Sequence, residues 1–238
     1  MTATAQIVTF SGIDGAGKTT QIESASSYLQ RRGYRIARVA FWDDVAVFPA
    51  LRTDISARVI PKTPDSSNST PLRNDKNVRA WYLTLIRAVF YLLDTLRLRW
   101  VVRRLRTIGV DFIIFDRYVY DLLVQIGPCH WWTCFYRHIL LTLAPTPRIA
   151  FLLDASPDEA FRRKPEYPLA FMHEYRRAFL ALLALVPQLS VVPFGSIDEV
   201  HQKILSCLLP TTDVSVNSND LRREMPRGFP VVGQKQNT

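Results

Sequence analysis

The sequence predicts an α/β fold with a five-stranded parallel sheet, helices on both of its faces and a short basic lid. Apolar segments of strand length alternate along the chain with longer segments of helical periodicity, which is the pattern of β-α-β units. A glycine-rich turn stands directly between the first apolar segment and the first helical one. The 238 residues suffice for one three-layer domain, predicted over residues 1–210, and the polar, aperiodic residues 211–238 are predicted to be a disordered tail.

The first half of the chain is predicted to open with a buried strand, because its first apolar run is nearly continuous. A glycine after the first helical segment is typical of a helix end. A loop-rich region is predicted to follow the second strand from residue 42, and its later stretch, rich in proline, serine and threonine, has the composition of a mobile surface loop. The predicted elements are a strand over residues 6–11, a helix over 18–32, a strand over 35–41, a mobile loop over 61–77, and one long helix or two in sequence over 78–108.

The second half repeats the alternation of strand and helix. Ser156 is predicted to cap a helix, because a proline and two acidic residues follow it in the first turn. The predicted elements are strands over residues 112–116, 149–154 and 190–193, two helices over 120–144, a helix opened by Ser156, and helices over 171–185 and 197–209.

Residues 12–19 fit the spacing G-x-x-x-x-G-K-[ST] of a phosphate-binding loop without a mismatch. The backbone N–H groups of such a loop and the helix N-terminus behind it attract phosphate. Lys18 is placed to reach the β- and γ-phosphates of a nucleoside triphosphate, and the Thr19 hydroxyl to ligate Mg²⁺. A chance glycine turn is the alternative, which the strand–loop–helix context disfavours. The residues predicted to bind ATP are Gly12, Asp14, Gly15, Ala16, Gly17, Lys18, Thr19 and Thr20.

A second candidate part of the site lies at the end of the third predicted strand, where Asp116 is followed by Arg117 and Tyr118. A carboxylate in this place can hold Mg²⁺ together with Thr19 or orient a nucleophile. The planar guanidinium of Arg117 can bridge the donor and acceptor phosphates. The alternative is that Arg117 only pairs with Asp116.

Basic residues after the fourth predicted strand form the third candidate part. Phosphoryl transfer needs positive charge around the γ-phosphate in the transition state, and a closing lid can supply that charge as water leaves. Arg162 and Arg163 are therefore predicted as lid residues, within a lid over residues 157–170. A solvated basic helix end is the alternative. The residues predicted to be catalytic are Lys18, Asp116, Arg117, Arg162 and Arg163.

Three stretches resemble thymidylate kinases: residues 8–21 resemble their P-loop, 115–119 their Asp-Arg-Tyr motif, and 151–160 the strand and helix that lead to their lid. The resemblance spans about residues 6–205. It implies the nucleoside-monophosphate-kinase fold, ATP as the donor, Mg²⁺ and a phosphorylated acceptor. By this resemblance Arg117 grips the acceptor phosphate, and the acceptor side comprises Phe90, Asp94, Arg117, Tyr118 and Gln125. The resemblance also suggests that Asp14 touches an acceptor hydroxyl, with a solvated loop acid as the alternative.

The acceptor side also departs from the family. Residues 41–44 stand where the family has an Arg-Glu-Pro-Gly segment, whose arginine helps to hold the acceptor phosphate. Phe90 matches a phenylalanine that stacks on thymine, but Asp94 falls near the place of an arginine that reads the base. A carboxylate cannot donate to a thymine carbonyl, although it can accept from an amino group or a sugar hydroxyl. The lid differs as well, and resembles that of a thymidylate-kinase-like branch found beside surface-polysaccharide genes.

The predicted function is therefore transfer of the γ-phosphate of ATP to a nucleoside monophosphate, with dTMP as the first candidate acceptor. One alternative is a related kinase acting on another phosphorylated or sugar acceptor. The other is a nucleotide-binding regulator or membrane-surface partner without turnover. The departures in the acceptor half favour the first alternative, and the intact Lys18, Asp116 and lid arginines speak against the second.

Composition and sequence patterns also bear on the protein's partners, its cysteines and its location. The net charge of +9 suits a phosphate-rich partner, but the arginines of residues 97–106 are interpreted as a solvated helix face rather than a nucleic-acid site. No apolar segment is long enough to cross a membrane. The three cysteines are interpreted as reduced thiols, and the protein is predicted to be cytoplasmic. The aromatic residues Trp81, Tyr82, Trp131 and Trp132 are expected in the core, or else in an acceptor pocket or the face of a homodimer.

Overall fold

The computed structural model describes residues 5–47, 81–126 and 130–208, except for the side chains of residues 81–84. All of these residues lie in one compact unit, Met1–Leu208. The predicted mobile loop over residues 61–77 and the predicted tail over residues 211–238 fall outside the described residues, as do the side chains of Trp81 and Tyr82.

The sheet has five strands, all parallel, which confirms the predicted fold class. Their spatial order is β2-β3-β1-β4-β5, so the first strand of the chain is the central one. Its neighbours cover it on both edges, and helices connect the strands as parallel pairing requires. The strands are β1 (Gln6–Ser11), β2 (Ile36–Ala40), β3 (Phe112–Asp116), β4 (Ile149–Asp154) and β5 (Leu189–Pro193).

Helices account for most of the other described residues, and the region over 78–108 contains one long helix. A single π-helical turn, Phe41–Val45, follows β2, where a loop was predicted. The helices are α1 (Lys18–Arg31), α2 (Trp81–Ile108), α3 (Val119–Gln125), α4 (Trp131–Leu143), α5 (Pro157–Arg163), α6 (Leu169–Ala181) and α7 (Ile197–Leu208).

Two details of the predicted helices are wrong. Ser156 occupies the N-cap position of α5, but its side chain makes no capping hydrogen bond there. The helix predicted over residues 171–185 begins earlier, at Leu169, and ends at Ala181, where a 3-10 turn over Leu182–Ala184 takes over. Apolar periodicity does not distinguish that tighter turn from a continuing helix, because short stretches of the two repeat similarly.

Aromatic side chains are buried on both faces of the sheet, because Phe115 pairs with Thr9 and Phe10 pairs with Phe151, and successive residues of a strand point to opposite faces. Phe10 of β1, Phe115 of β3 and Phe151 of β4 are fully buried, and the rings of Phe10 and Phe151 lie 5.2 Å apart. Burying one such ring contributes on the order of 1.5–3 kcal/mol. Each of these residues lies within three positions of its strand's carboxyl end, so the same packing that stabilises the sheet also holds the loops that follow the strands.

Helix α2 is apolar on two opposite sides. Tyr91, Leu98 and Val102 are buried against the core. Among the described side chains, the opposite side exposes six apolar residues, called here the α2 stripe: Leu85, Ile86, Val89, Leu93, Leu96 and Trp100. Apolar residues at helical spacing predicted this helix, and three of them, Leu85, Val89 and Leu96, are exposed rather than buried. Two apolar faces on one helix obey the same spacing, so sequence alone does not separate them.

Other expectations can also be compared with the described residues. Trp131 and Trp132 are 85% and 47% exposed, so the expected core packing is wrong for both. Cys134 is disulfide-bonded, which corrects the expectation of reduced thiols, whereas Cys207 is a free cysteine. Within the described part of the chain, no helix combines the length and the apolar character that crossing a bilayer requires.

Candidate functional site

The phosphate-binding loop lies at the carboxyl end of β1, where the loops after β3 and β4 meet it. Phe10 is paired with Asp116, and Ser11 is paired with Leu152. Because all five strands are parallel, the residues that follow them collect at one edge of the sheet, the usual position of a ligand site in this class of fold. The edge therefore brings together the predicted loop, the Asp116-Arg117 pair and the start of the predicted lid.

Two glycines of the loop are held against backbone of the neighbouring connection. A Cβ atom on Gly12 would lie 2.6 Å from the carbonyl oxygen of Leu153, and one on Gly15 would lie 2.6 Å from that of Ala160. Real Cβ atoms do not approach backbone oxygens so closely. Glycine at these two positions thus lets the loop pack directly against the end of β4 and against α5, the helix that carries the lid arginines.

Lys18 is buried inside its own loop, with a 7% exposed side chain. Its Nζ donates to the carbonyl oxygens of Gly12 at 3.0 Å and Ile13 at 2.9 Å, and lies 3.6 Å from Asp14 Oδ1. Burial, and next the positive charge of Arg117, lower the pKa of Lys18 below its usual 10.5. The ammonium therefore sits at the centre of the curved loop, where a phosphate would meet it.

Arg117 is held between two carboxylates. Its Nη2 donates to Asp14 Oδ1 in a short contact, and its Nη1 lies 3.6 Å from Asp121 Oδ1. Burial opposes the guanidinium charge, but the carboxylates of Asp121 and Asp14 together raise the pKa of Arg117 above its usual value. Arg117 also has a φ of 67°, in the left-handed region that non-glycine residues rarely occupy. The structure therefore differs from the alternative in which Arg117 pairs only with Asp116.

Asp14 is consequently not the solvated loop acid that was its alternative interpretation. Its side chain is 19% exposed and contacts both Lys18 and Arg117. It joins the donor loop to the arginine that follows β3. The acceptor-hydroxyl contact predicted for Asp14 stays a prediction.

Sequence reasoning missed Asp121, a fully buried acid at this edge. Its side chain is 0% exposed, and its Oδ2 accepts hydrogen bonds from Ser11 Oγ at 2.8 Å and from the Tyr118 backbone N–H at 3.1 Å. Burial raises the pKa of Asp121, against the lowering effect of Arg117. Asp121 lies in the first turn of α3, whereas Arg117 precedes that helix, so helical spacing does not predict their contact.

A pocket beside the loop is lined by residues that are far apart along the chain. Ala16, Gly17 and Thr20 line it on one side, and Phe194 and Arg163 on the other. The Arg163 guanidinium lies over the Phe194 ring at 5.0 Å from its centroid. Sequence reasoning did not find Phe194, because nothing in the residues after β5 marks them as neighbours of the loop.

The predicted lid residues are exposed at the end of α5. Arg162 Nε contacts the Asp158 carbonyl at 3.4 Å, and Lys164 pairs with Glu166 at 2.9 Å. Arg163 alone of these lines the pocket. The structure thus places one of the two predicted lid arginines at the site and the other in solvent beside it.

The residues predicted to contact the acceptor fall into different environments. Gln125 accepts a hydrogen bond from the Tyr91 hydroxyl at 3.0 Å and also bonds Tyr175, which lies close enough to Arg117 to influence its pKa. Tyr118 is instead fully buried, and its hydroxyl donates to the Pro145 carbonyl in a short contact. A fully buried side chain with an occupied hydroxyl is a core residue rather than a surface for substrate.

The two acceptor residues predicted on α2 also differ from one another. Phe90 is half-buried. Asp94 is 0% exposed, and its Oδ1 accepts a hydrogen bond from the Val47 backbone N–H at 2.7 Å. Asp94 therefore anchors the chain just after the π-helical turn, at the place where the sequence departs from the family pattern.

The two predicted metal ligands, Thr19 and Asp116, both carry side-chain oxygens. Thr19 is exposed at the start of α1, and Asp116 is half-buried at the end of β3. No group of three or more His, Cys, Asp or Glu side chains that could hold a metal forms among the described residues. Such a pair suits Mg²⁺, which takes oxygen ligands and commonly completes its shell with substrate phosphates and water.

Comparison with known proteins agrees with this architecture. No protein-family model matches the chain. A probable thymidylate kinase of Methanothermobacter thermautotrophicus is 27% identical over 156 residues, 66% of this chain and 68% of the relative. A probable thymidylate kinase of Methanosphaera stadtmanae is 22% identical over 84% of this chain and 98% of the relative. The crystal structure of thymidylate kinase from Ehrlichia chaffeensis matches with a TM-score of 0.56 at 16% identity, covering 86% of this chain and 98% of that one.

Proposed function

We propose that this divergent thymidylate-kinase-like protein is an ATP- and Mg²⁺-dependent kinase of nucleoside monophosphates, with dTMP as the first acceptor to test. The observation that carries the proposal is the ion cluster in which Asp14 joins Lys18 to Arg117. In this proposal Lys18 serves the donor phosphates and Arg117 the acceptor phosphate, and both contact Asp14. In-line phosphoryl transfer is mainly a matter of positioning and charge neutralisation, which such a pair of cations supplies.

The donor phosphates would bind in the loop of residues 12–19. Lys18 Nζ, which now donates to the carbonyls of Gly12 and Ile13, would turn toward the phosphates, and the loop's backbone N–H groups would bind their oxygens. The pocket lined by Arg163 and Phe194 is continuous with the loop and offers the Phe194 ring to the base of the nucleotide. Its position supports ATP as the donor.

Mg²⁺ would be held by Thr19 and Asp116, whose oxygen donors fit it, and it neutralises charge on the transferred group. The chain's own contribution is to fix those two donors. Asp116 ends the buried strand β3, and Thr19 lies in the first turn of α1, directly after Lys18. Both backbones are therefore set by the sheet and its first helix.

The acceptor phosphate would bind Arg117 in place of Asp14. An arginine offers the paired donors that a phosphate oxygen pair accepts, and a phosphate carries more charge than the carboxylate it would replace. Tyr175 lies close enough to Arg117 to influence its pKa and is hydrogen-bonded to Gln125, and the two would bound the acceptor on this side. Arg163 would add positive charge from α5 as the site closes.

A related kinase with another phosphorylated or sugar acceptor is the second candidate. The observation that favours it is Asp94, whose buried carboxylate is bonded to the Val47 backbone. A carboxylate cannot donate to a thymine carbonyl. If dTMP is the acceptor, another group must read its base.

The homodimer is likewise a proposal, and the α2 stripe supports it. A helix that is apolar on both sides is usually covered on both sides. A second copy of the chain, packed stripe against stripe about a two-fold axis, would cover the exposed residues of both molecules. Leu96→Glu is expected to shift the mass measured by light scattering toward the monomer, whereas Leu183→Glu, at an exposed leucine elsewhere, leaves it unchanged. The cytoplasmic location stays a prediction.

One experiment tests the kinase proposal and separates its acceptors. The purified protein is incubated with Mg·ATP and a panel of nucleoside monophosphates and sugar phosphates, and ADP release is followed. dTMP-dependent ADP release supports the first candidate, and release only with another acceptor supports the second. Lys18→Ala is expected to abolish turnover, and Lys203→Ala, an exposed lysine on α7, serves as the matched control. Failure of the wild-type protein to bind ATP would refute both candidates.

A further inference from the structure

Asp121 has one carboxylate oxygen that the local backbone does not use. Both of its described hydrogen bonds, from Ser11 Oγ and from the Tyr118 backbone N–H, go to Oδ2. Its Oδ1 is buried without a hydrogen-bond partner among the described residues and lies 3.6 Å from Arg117 Nη1. Capping of α3 explains the hydrogen bond from Tyr118 to Oδ2. It does not explain why Oδ1, the other carboxylate oxygen, lies next to the arginine.

The two carboxylates beside Arg117 differ in how firmly they are held. Asp14 belongs to the phosphate-binding loop and its side chain is 19% exposed, whereas Asp121 is 0% exposed within α3. Ser11, at the end of the central strand, ties Asp121 to the sheet. An acceptor phosphate can displace the first carboxylate, but it cannot reach the second without unpacking α3.

Arg117 needs such an anchor. A non-glycine residue in the left-handed region persists only where its surroundings determine its conformation. Its backbone N–H donates to the Phe10 carbonyl at 2.9 Å, which fixes the main chain but not the guanidinium. A buried negative charge behind the guanidinium fixes the side chain's far end and is itself tolerated only because it is paired.

We infer that Asp121 is a positioning residue: it holds the Arg117 guanidinium in place when the acceptor phosphate takes over the partner role of Asp14. The inference rests on the proposed function, since it assumes that Arg117 grips that phosphate. In the absence of the acceptor, both carboxylates share the arginine. In its presence, Asp121 keeps Arg117 aimed at the site while Asp14 is released.

The first test does not depend on turnover. Asp121→Asn removes the charge while keeping an acceptor oxygen for Ser11 and Tyr118, and Asp111→Asn, at the opposite end of β3, is the matched control. Nitrogen-15 NMR of the arginine side chains in the full-length protein, with Arg117→Lys to assign the signal, reports guanidinium hydrogen exchange. Asp121→Asn is expected to speed exchange at Arg117 by about 10-fold or more, as loss of a buried ion pair predicts, and Asp111→Asn to leave it unchanged. Unchanged exchange in Asp121→Asn would overturn the inference.

The second test uses the kinase reaction. Asp121→Asn is expected to raise the KM for dTMP by about 10- to 100-fold, a usual effect of a misplaced positioning group, while the KM for ATP stays within about 2-fold of the wild type. In an Arg117→Ala background, Asp121→Asn should change the acceptor KM no further, because Asp121 acts through Arg117. If Asp121→Asn raises the acceptor KM by the same factor in the Arg117→Ala background as in the wild type, Asp121 has a structural role instead. A lower melting temperature with an unchanged acceptor KM would show the same.

The two tests fail in distinguishable ways. If no acceptor supports turnover, the proposed function fails, and the exchange measurement still decides whether Asp121 holds Arg117. If Asp121→Asn does not fold, Ser11→Ala, which removes only the 2.8 Å hydrogen bond to Oδ2, takes its place in both tests. Ser11→Ala is expected to change exchange and acceptor KM in the same direction by a smaller factor, and no change in the exchange rate would overturn the inference.

Discussion

Three glycines have similar backbone conformations. Replacing each by alanine allows the tightness of packing between the phosphate-binding loop and α5 to be measured as a difference in stability. Gly15, Gly17 and Gly33 have φ values of 84°, 85° and 85°. Replacing any of them by alanine forces a Cβ into the left-handed region, at a cost of roughly 1–2 kcal/mol. Only at Gly15 does the new Cβ also meet backbone, 2.6 Å from the Ala160 carbonyl oxygen; at Gly17 and Gly33 nothing lies within 4 Å.

The difference between the variants therefore isolates the packing of the loop against α5. Overpacking against backbone costs about 1–3 kcal/mol beyond the shared backbone strain. For a domain of this size, about 1 kcal/mol corresponds to roughly 2–4 °C in melting temperature. Gly15→Ala is thus expected to melt about 2–12 °C below Gly33→Ala. Gly17→Ala should melt close to Gly33→Ala.

Calorimetry of the three variants and the wild type measures this difference, and ATP titration shows its effect on the donor site. Gly15→Ala is expected to weaken ATP binding, because the displaced helix carries Arg163 to a new position beside the pocket. Gly33→Ala, at the far end of α1, should bind ATP as the wild type does. Equal melting temperatures for Gly15→Ala and Gly33→Ala would refute the close contact between the loop and α5.

Three further predictions concern single side chains. Tyr118→Phe removes the hydroxyl bonded to the Pro145 carbonyl and should lower the unfolding free energy by about 1 kcal/mol, with no change in acceptor KM; a changed KM would contradict the core assignment. Phe194→Ala should raise the KM for ATP by about 5-fold, since it removes the ring under Arg163, while the acceptor KM stays constant. Burial lowers the pKa of His201 below 6.5, so its folded form binds fewer protons than its unfolded form, and urea unfolding should show stability falling as the pH drops below about 6.5. The stability of His201→Phe should fall less steeply over that pH range, and a slope identical to that of the wild type would exclude His201 as the cause.

The sheet and the donor loop were predictable from sequence because both depend on local patterns. Continuous apolar runs marked the buried strands, and β3 and β4 have the predicted bounds. The loop motif carries its own spacing, and the strand before it and the helix after it follow from periodicity. Gly33 follows the end of α1 as expected. Each of these features involves residues that are close along the chain.

The parts that were not predicted depend on contacts between distant segments. Asp121 meets Ser11, Phe194 meets Arg163, and Asp94 meets Val47, and no local pattern links these residues. Burial also depends on the tertiary neighbours, which is why Trp131 was expected in the core but is exposed. A motif names the residues of a site, but packing decides which of them face the ligand.

The central position of β1 has a consequence for how the protein is made. The ribosome synthesises β1 and its loop early, but the strand pairs with β3 and β4. Gln6 can therefore pair only after Phe112 has been made, and Val8 can pair with β4 only after Ile149 has been made. Pairing of such distant segments is slow, because a long stretch of chain must first close into a loop. Gly12 and Gly15 complete their contacts only with Leu153 and Ala160. The phosphate-binding loop is therefore synthesised before the other parts of the site but completes its contacts only after β4 and α5 have been made, and a nascent chain that ends before β4 should not retain ATP.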